Sequence, residues 1–408
     1  MEFNTSLLHI TDTDEYGNGS TLSPICQVSA FAYDSAEQLE KVFNNRAHGY
    51  SYTRVGNPTV AAFEKRMAAI EGGIGAAACS SGMAAITAAL LNILRAGDEV
   101  IVSSGLFGGT IELFEDLAPF GIKAVFLEEL TYENIIAAVN ENTKAVFTEL
   151  IGNPRLDVVD IERVSDACRE KGLPLIIDST TATPYLIHPL AHGADIVIHS
   201  SSKYINGGGN SISGIIIDGG TFKWDRDRYP DMAPFLKYGP FAYLSKLRNR
   251  IWRNTGCCLS PFNAYMNMVG METLGLRMER CCSNALKLAE ILEETEGIKV
   301  NYPGLKSSPY HELVERQMQG RGGAIVTIGA GSRERAYKLI NSLKYASIAT
   351  NIGDVRTLVI HPASTIYTHS TEAQRQSAGV YEDTIRISVG IEDINDLADD
   401  FRQAVAHL

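Results

Sequence analysis

Three short stretches of the chain hold residue types able to do chemistry. Ser80-Ser81-Gly82-Met83 stands where the apolar run Ala76–Cys79 gives way to a helical pattern. A strand feeding a helix leaves unpaired backbone N–H groups in the first turn, and glycine there lets an anion approach closely. A plain strand-to-helix turn has the same composition. The run Pro174-Leu-Ile-Ile-Asp178-Ser179-Thr180 ends a continuous apolar strand in a carboxylate. Ligands of open α/β sheets gather at the carboxyl ends of the strands, and an unpartnered buried carboxylate is costly. Helix capping is the alternative use of such an Asp. The next strand, Ile196-Val-Ile198, runs into His199-Ser200-Ser201-Ser202-Lys203-Tyr204. Lysine in such a place is commonly solvated, but beside an anion site its amine is a candidate nucleophile of depressed pKa toward an aldehyde. Gly207-Gly208-Gly209 then permits a tight turn next to a ligand.

One cofactor asks for all three parts. Pyridoxal phosphate needs an amine for its aldehyde, a carboxylate for its pyridinium nitrogen and a cradle for its phosphate. Asp178, the Ser200-x-Ser202-Lys203 segment that follows it, and the upstream Ser81-Gly82-Met83 helix start supply them.

Regularly alternating elements must position these groups. From about residue 61 a helix over Ala61–Ile70 ends at Gly72-Gly73, and a buried strand over 76–79 and a helix over 82–94 follow. Apolar, β-rich runs recur at 99–102, 124–127, 145–148, 174–177, 196–198 and 214–218, most of them separated by helical stretches such as 110–117, 132–140 and 161–171. Continuous Val/Ile strands alternating with helices predict an α/β fold, a mostly parallel central sheet with helices on both faces. From about 256 the texture changes. Ala285, Leu288, Ala289 and Leu292 share one helical face, as do Ile394, Leu397, Phe401 and Val405, and strands are predicted at 324–328, 357–360 and 385–389. The expected division is an arm over 1–60, turn-rich at Asp14–Gly19, a cofactor domain over 61–255 and a smaller α+β domain over 256–408.

Composition narrows the class further. The 408 residues carry 36 basic and 48 acidic side chains, a net charge of −12, and 45% are hydrophobic. That balance excludes a disordered chain and disfavours nucleic acid and anionic membranes as partners. Met1-Glu2-Phe3-Asn4-Thr5 does not read as a signal peptide, and the longest apolar run, Ala84–Leu94, falls short of the ~18–20 residues that span a bilayer. Seven cysteines without a Cys-x-x-Cys pair or His-rich tract imply reduced thiols, no metal site and a cytoplasmic protein.

With these residues in view, the chain resembles the Cys/Met-metabolism family of pyridoxal-phosphate enzymes, cystathionine γ-synthase-like and of fold type I, over nearly its whole length. Tyr52-Thr53-Arg54-Val55-Gly56-Asn57-Pro58-Thr59 is similar to the family's Tyr-Ser/Thr-Arg-x-x-Asn-Pro-Thr motif. The resemblance implies that Tyr52 and Arg54 reach the cofactor phosphate of a neighbouring subunit, so that a homodimer or homotetramer shares its active sites. It implies that Gly82 and Met83 bring amides to the phosphate, with Ser81 and Thr180 beside them, and that Ser200 and Ser202 bring hydroxyls. Asp178 is then the pyridinium partner, Lys203 the lysine bonded to the aldehyde, and Asn153 of Asn153-Pro154 the contact to the phenolic oxygen. Arg386, in Asp383-Thr-Ile-Arg-Ile-Ser-Val-Gly-Ile-Glu-Asp393, matches the arginine that grips the substrate carboxylate, which suits a bidentate guanidinium. Asn351 is its expected second contact.

Within the family, Gly207–Gly214 running into Phe222-Lys223-Trp224, Asn351–Asp354 and Thr357–Ser364 lean toward the O-acetylhomoserine sulfhydrylase branch. The expected reaction is γ-substitution on an O-acylated homoserine by sulfide or a thiol, giving homocysteine or a thioether. The alternative is a γ-lyase acting on methionine or cystathionine and releasing 2-oxobutanoate, ammonia and a thiol. Lys203 is the expected general base at Cα and then Cβ. Phe107 stands where the family usually has tyrosine; it keeps a stacking ring but no proton, which favours an ester leaving group over a thiolate and leaves Tyr52 as the candidate acid. Gly208 replaces a histidine, and Ile366-Tyr367 reads as an insertion before Thr368-His369. Two rival readings are weaker. A nicotinamide dehydrogenase lacks its G-x-G-x-x-G after the first strand, and a non-catalytic relative would not need both Lys203 and Asp178.

Overall fold

Leu175, Ile176 and Ile177 are all inaccessible to solvent, and they show how the central layer is built. Side chains alternate across a strand, so Leu175 and Ile177 enter one apolar cluster while Ile176 enters another on the opposite face. Ile215, Ile216 and Ile217 divide in the same way. Strands apolar on both faces are stable only between two helical layers, and each fully buried aliphatic side chain contributes roughly 1.5–3 kcal/mol.

The computed structural model describes residues 1–10, 19–44 and 46–408; the expected turn at Asp14–Asn18 lies outside them. Seven strands form the large sheet: β1 (Gly75–Cys79), β2 (Glu99–Ser103), β3 (Lys123–Leu127), β4 (Thr143–Glu149), β5 (Leu175–Asp178), β6 (Ile196–His199) and β7 (Gly214–Asp218), in the order β1-β7-β6-β5-β4-β2-β3. All neighbours run parallel except β7, which is antiparallel to both β1 and β6. A second sheet of five strands follows: β8 (Lys299–Asn301), β9 (Ile325–Gly329), β10 (Ser347–Ile348), β11 (Leu358–Ile360) and β12 (Thr384–Ser388), in the order β10-β11-β12-β9-β8. Its own apolar cluster takes in Leu397 and Phe401 of the C-terminal helix, Ile394–Ala406.

Several elements differ from the sequence expectation. Among the described residues before Pro58 there are two helices, α1 (Phe3–His9) and α2 (Ala36–Phe43). Each is too short for a visible period. Leu7 of α1 is fully buried and Phe3 meets Tyr185 edge-on at 5.3 Å, whereas α2 buries none of its residues. Helix α3 spans Pro58–Glu71, with Asn57 accepting the Thr59 N–H at its start and Gly72 left-handed at its end. Helix α4 covers Gly82–Leu91 and stops short of Leu94, because Asn92 turns inward to donate to the Tyr243 carbonyl at 3.1 Å. The helix expected at 284–292 is the last half of a 20-residue helix, Leu274–Glu293, whose earlier buried stripe includes Met278 and Cys282. All seven cysteines are free. Among the described residues no helix is long and apolar enough to cross a membrane, and no acidic, His or Cys group could hold a metal.

Candidate active site

The parallel register of β4, β5 and β6 brings their carboxyl ends together, and with them the chemistry. Glu149 pairs directly with Asp178 across β4 and β5, and Asp178 pairs with Ile198 of β6, just before His199 and Ser200. Across this edge lies the start of α4. Ser81 is its N-cap, accepting the Ala84 N–H at 3.0 Å, and the first-turn amides of Gly82 and Met83 face the same edge. Glycine is required twice here. A Cβ on Gly82 would stand 2.6 Å from Cβ and 2.8 Å from Oγ of Ser200, and one on Gly214 would stand 2.1 Å from the Ser81 carbonyl oxygen. The helix start and β7 are therefore in backbone contact.

A cavity of about 240 Å³ opens above these elements. Of the residues singled out from sequence, Ser81, Gly82, Met83, Phe107, Asn153, Asp178, Thr180, Ser200, Ser202, Lys203 and Arg386 line it. Asn351 joins them through the Lys203 amine, which donates to its Oδ1 at 2.6 Å. Arg386 sits on β12 of the second sheet, donates from Nη1 to the Asn153 Oδ1 at 3.2 Å and from Nη2 to the carbonyl of Asn351 at 3.1 Å, and leaves its buried Nε without a partner. The hydroxyl of Ser202 is engaged with the backbone of Ser213 as both donor and acceptor, at 2.9 and 2.8 Å. The Ser200 N–H donates to Thr180 Oγ1 at 2.7 Å.

Tyr52 and Arg54 do not reach this cavity in their own chain. Tyr52 is exposed, the Arg54 guanidinium lies over its ring at 5.6 Å, and Arg54 donates to the Arg253 carbonyl at 2.8 Å.

Electrostatics follow from burial. Burial, and then the Arg386 charge, lower Lys203 to about 8, so its amine is far more available than that of a surface lysine. Burial lowers Arg386 to about 10, which leaves it cationic at neutral pH. Glu149 and Asp178 are a coupled buried pair. Burial and then the Asp178 charge drive Glu149 well above the carboxylate range. Asp178 is also raised by burial, but held back by the hydroxyl and N–H of Thr180.

Glu149 escaped the sequence reading. It accepts the Phe107 N–H at 2.7 Å and lines the cavity. The signal was the one that pointed to Asp178, a carboxylate closing a buried strand, but the strand was expected to stop at Thr148. Thr181, Thr350 and Ile352 also line the cavity, next to Thr180 and Asn351, which the sequence did single out.

Residues 4–406 match the family described as Cys/Met metabolism PLP-dependent enzymes. The chain belongs to this family. It is 40% identical to an O-acetyl-L-homoserine sulfhydrylase of Leptospira meyeri over 99% of this chain and 96% of the relative. It is 37% identical to an L-methionine gamma-lyase of Treponema denticola over 96% of this chain and 93% of that one. Among solved structures it matches an O-acetylhomoserine (thiol)-lyase from Campylobacter jejuni, determined with N'-pyridoxyl-lysine-5'-monophosphate, at a TM-score of 0.94 and 33% identity over 100% of both chains.

The cavity suits pyridoxal phosphate by the chemistry of its groups. The α4 amides and Ser200 make an anion cradle that a single Cβ would fill, Asp178 is a buried carboxylate raised by burial that a ring cation would relieve, and Lys203 is a deprotonation-prone amine above them.

Proposed function

We propose that the protein catalyses γ-substitution on O-acetylhomoserine, with sulfide or a thiol as the incoming nucleophile and homocysteine or a thioether as product. What carries this reading is the Lys203 amine, hydrogen-bonded to Asn351 and lowered in pKa by burial and the Arg386 charge, in a cavity that also exposes Asp178 and the α4 amides. The full-length likeness to sulfhydrylases agrees with it.

Each group has one task. The amides of Gly82 and Met83, with Ser81, Thr180 and Ser200 around them, would hold the phosphate at a helix start, while Ser202, expected there too, spends its hydroxyl proton on the Ser213 carbonyl. Asp178 would balance a protonated ring nitrogen, and Asn153 would meet the phenolic oxygen. Bound pyridoxal phosphate supplies the electron sink that acidifies protons next to the substrate amine. Lys203 carries those protons, accepting first at Cα and then at Cβ, because its lowered pKa keeps a free amine near neutrality. Arg386 binds the substrate α-carboxylate as a two-pronged donor, with Asn351 beside it. Phe107 supplies a flat apolar wall and no proton, which suits acetate, a leaving group that needs little help.

The exposed Tyr52 and Arg54 fit an arm, over residues 1–60, that completes the cavity of a neighbouring subunit in a homodimer or homotetramer, with a cofactor domain over 61–255 and a substrate domain over 256–408. The free thiols agree with a cytoplasmic setting.

Product analysis with O-acetylhomoserine, with and without sulfide, tests the reading. Homocysteine forming only with sulfide is the expected result. Methionine or cystathionine cleaved to 2-oxobutanoate faster than O-acetylhomoserine is substituted would establish a lyase instead.

A further inference from the structure

Tyr367 belongs to the two-residue insertion, and none of the roles above uses it. Its side chain is wholly buried. Its hydroxyl lies 3.1 Å from the Leu106 carbonyl and 3.3 Å from the Asn153 carbonyl, on two loops 47 residues apart, and the Gly108 N–H is directed at the phenol oxygen. Burial, and then the neighbouring Glu149, raise its pKa, so the hydroxyl stays a donor. Its ring packs on Gly108, where an added Cβ would stand 3.5 Å from the ring and 2.9 Å from the Ile366 carbonyl.

Both loops lead directly to the cavity. The first carries Phe107, whose ring folds back over Gly109, with 2.8 Å between a ring carbon and the position a Cβ would take. The second carries Asn153, whose side-chain oxygen accepts Arg386 Nη1 at 3.2 Å. A phenol has a single proton, and here it is shared between the carbonyls of both loops, which sets their separation. Glu149 joins the same loops through their amides, accepting the Phe107 N–H at 2.7 Å and the Asn153 N–H, and Tyr367 adds the side-chain donor to their carbonyls, which no other side chain supplies among the hydrogen bonds of the described residues.

We propose that Tyr367 is a positioning residue that sets the spacing between the Phe107 wall and the Asn153–Arg386 clamp, and through it the binding of the substrate α-carboxylate. The proposal rests on the reading of Arg386 given above, and it concerns amino-acid binding and not the choice of sulfur donor.

Tyr367→Phe keeps the ring and removes the tie. The holoenzyme is titrated with L-alanine, which has the same amine and carboxylate but no leaving group, and the change in cofactor absorbance reports Kd. A lost buried hydrogen bond between the phenol and neutral loop carbonyls corresponds to a rise of up to about tenfold in that Kd and in the KM for O-acetylhomoserine. The KM for sulfide, kcat and the cofactor's own affinity should each change less than about threefold. Unchanged Kd and KM, even with a lowered thermal midpoint, would overturn the proposal, as would an equal rise in the KM for sulfide. If Tyr367→Phe does not fold, Gly108→Ala presses on the Ile366 carbonyl next to Tyr367, displaces that residue from the two loops and must raise the same two constants. A wild-type enzyme that makes no homocysteine would remove the proposed reaction, while the alanine titration would still decide the role of Tyr367.

Discussion

Raising the pH through 8 should switch on the amine of Lys203. Burial, and secondarily the Arg386 guanidinium, disfavour the ammonium form and bring its pKa down to about 8. At pH 7.5 about a quarter of such amines are free, against roughly one in a thousand for an unperturbed lysine, a difference of some 200-fold in nucleophile. The assay is the rate at which cofactor-stripped protein captures added pyridoxal phosphate, followed by visible absorbance between pH 6.5 and 10. The rate should climb and level off with a midpoint near 8. Arg386→Gln removes the smaller cause, so it should move the midpoint upward only part of the way toward 10.5, burial still accounting for the rest. A wild-type midpoint at or above 10, or a downward shift in Arg386→Gln, would refute the reasoning.

Other substitutions probe the remaining groups. Gly82→Ala places a methyl 2.6 Å from Ser200 and should disturb one charge-assisted hydrogen bond to phosphate, about 1.5–3 kcal/mol, weakening cofactor affinity about 10- to 100-fold in a fluorescence titration; an unchanged Kd would deny the cradle. Asp178→Asn should lower kcat by about a thousandfold or more while making the cofactor-free protein more stable to urea at pH 7. The sign follows from a folded-state pKa raised above the unfolded one: the carboxyl costs stability as pH rises above about 4, and the gain in the Asn variant should vanish below that pH. Phe107→Tyr restores a phenol to the cavity wall and should raise elimination from methionine or cystathionine while turnover of O-acetylhomoserine stays within about threefold; no gain with thiolate leaving groups would show that the missing proton is not what limits them.

The large sheet was legible because its strands are apolar on both faces and its helices carry caps. Ile215–Ile217 needs no tertiary context to be read as a buried strand, whereas helix α3 begins at Pro58, three residues before the expected Ala61, behind the Asn57 cap. Helix α1 was not legible, since seven residues with one buried leucine make no period. Asp178 was found because it closes a buried strand and Lys203 because it follows the next one beside an anion site, and Glu149 obeys the first rule one residue beyond where its strand was expected to end.

Sequence by itself determined which side chains sit at strand ends and helix starts, and so the class of cofactor. Local period and residue chemistry are properties of short segments. Tertiary structure alone decided that Glu149 and Asp178 stand side by side at the ends of β4 and β5, that Asn351 receives the Lys203 amine, and that Tyr367 spans from Leu106 to Asn153. Each of these joins segments from 29 to 261 residues apart, and only the sheet register and the packing of the second sheet onto the first bring them within a hydrogen bond or a strand spacing.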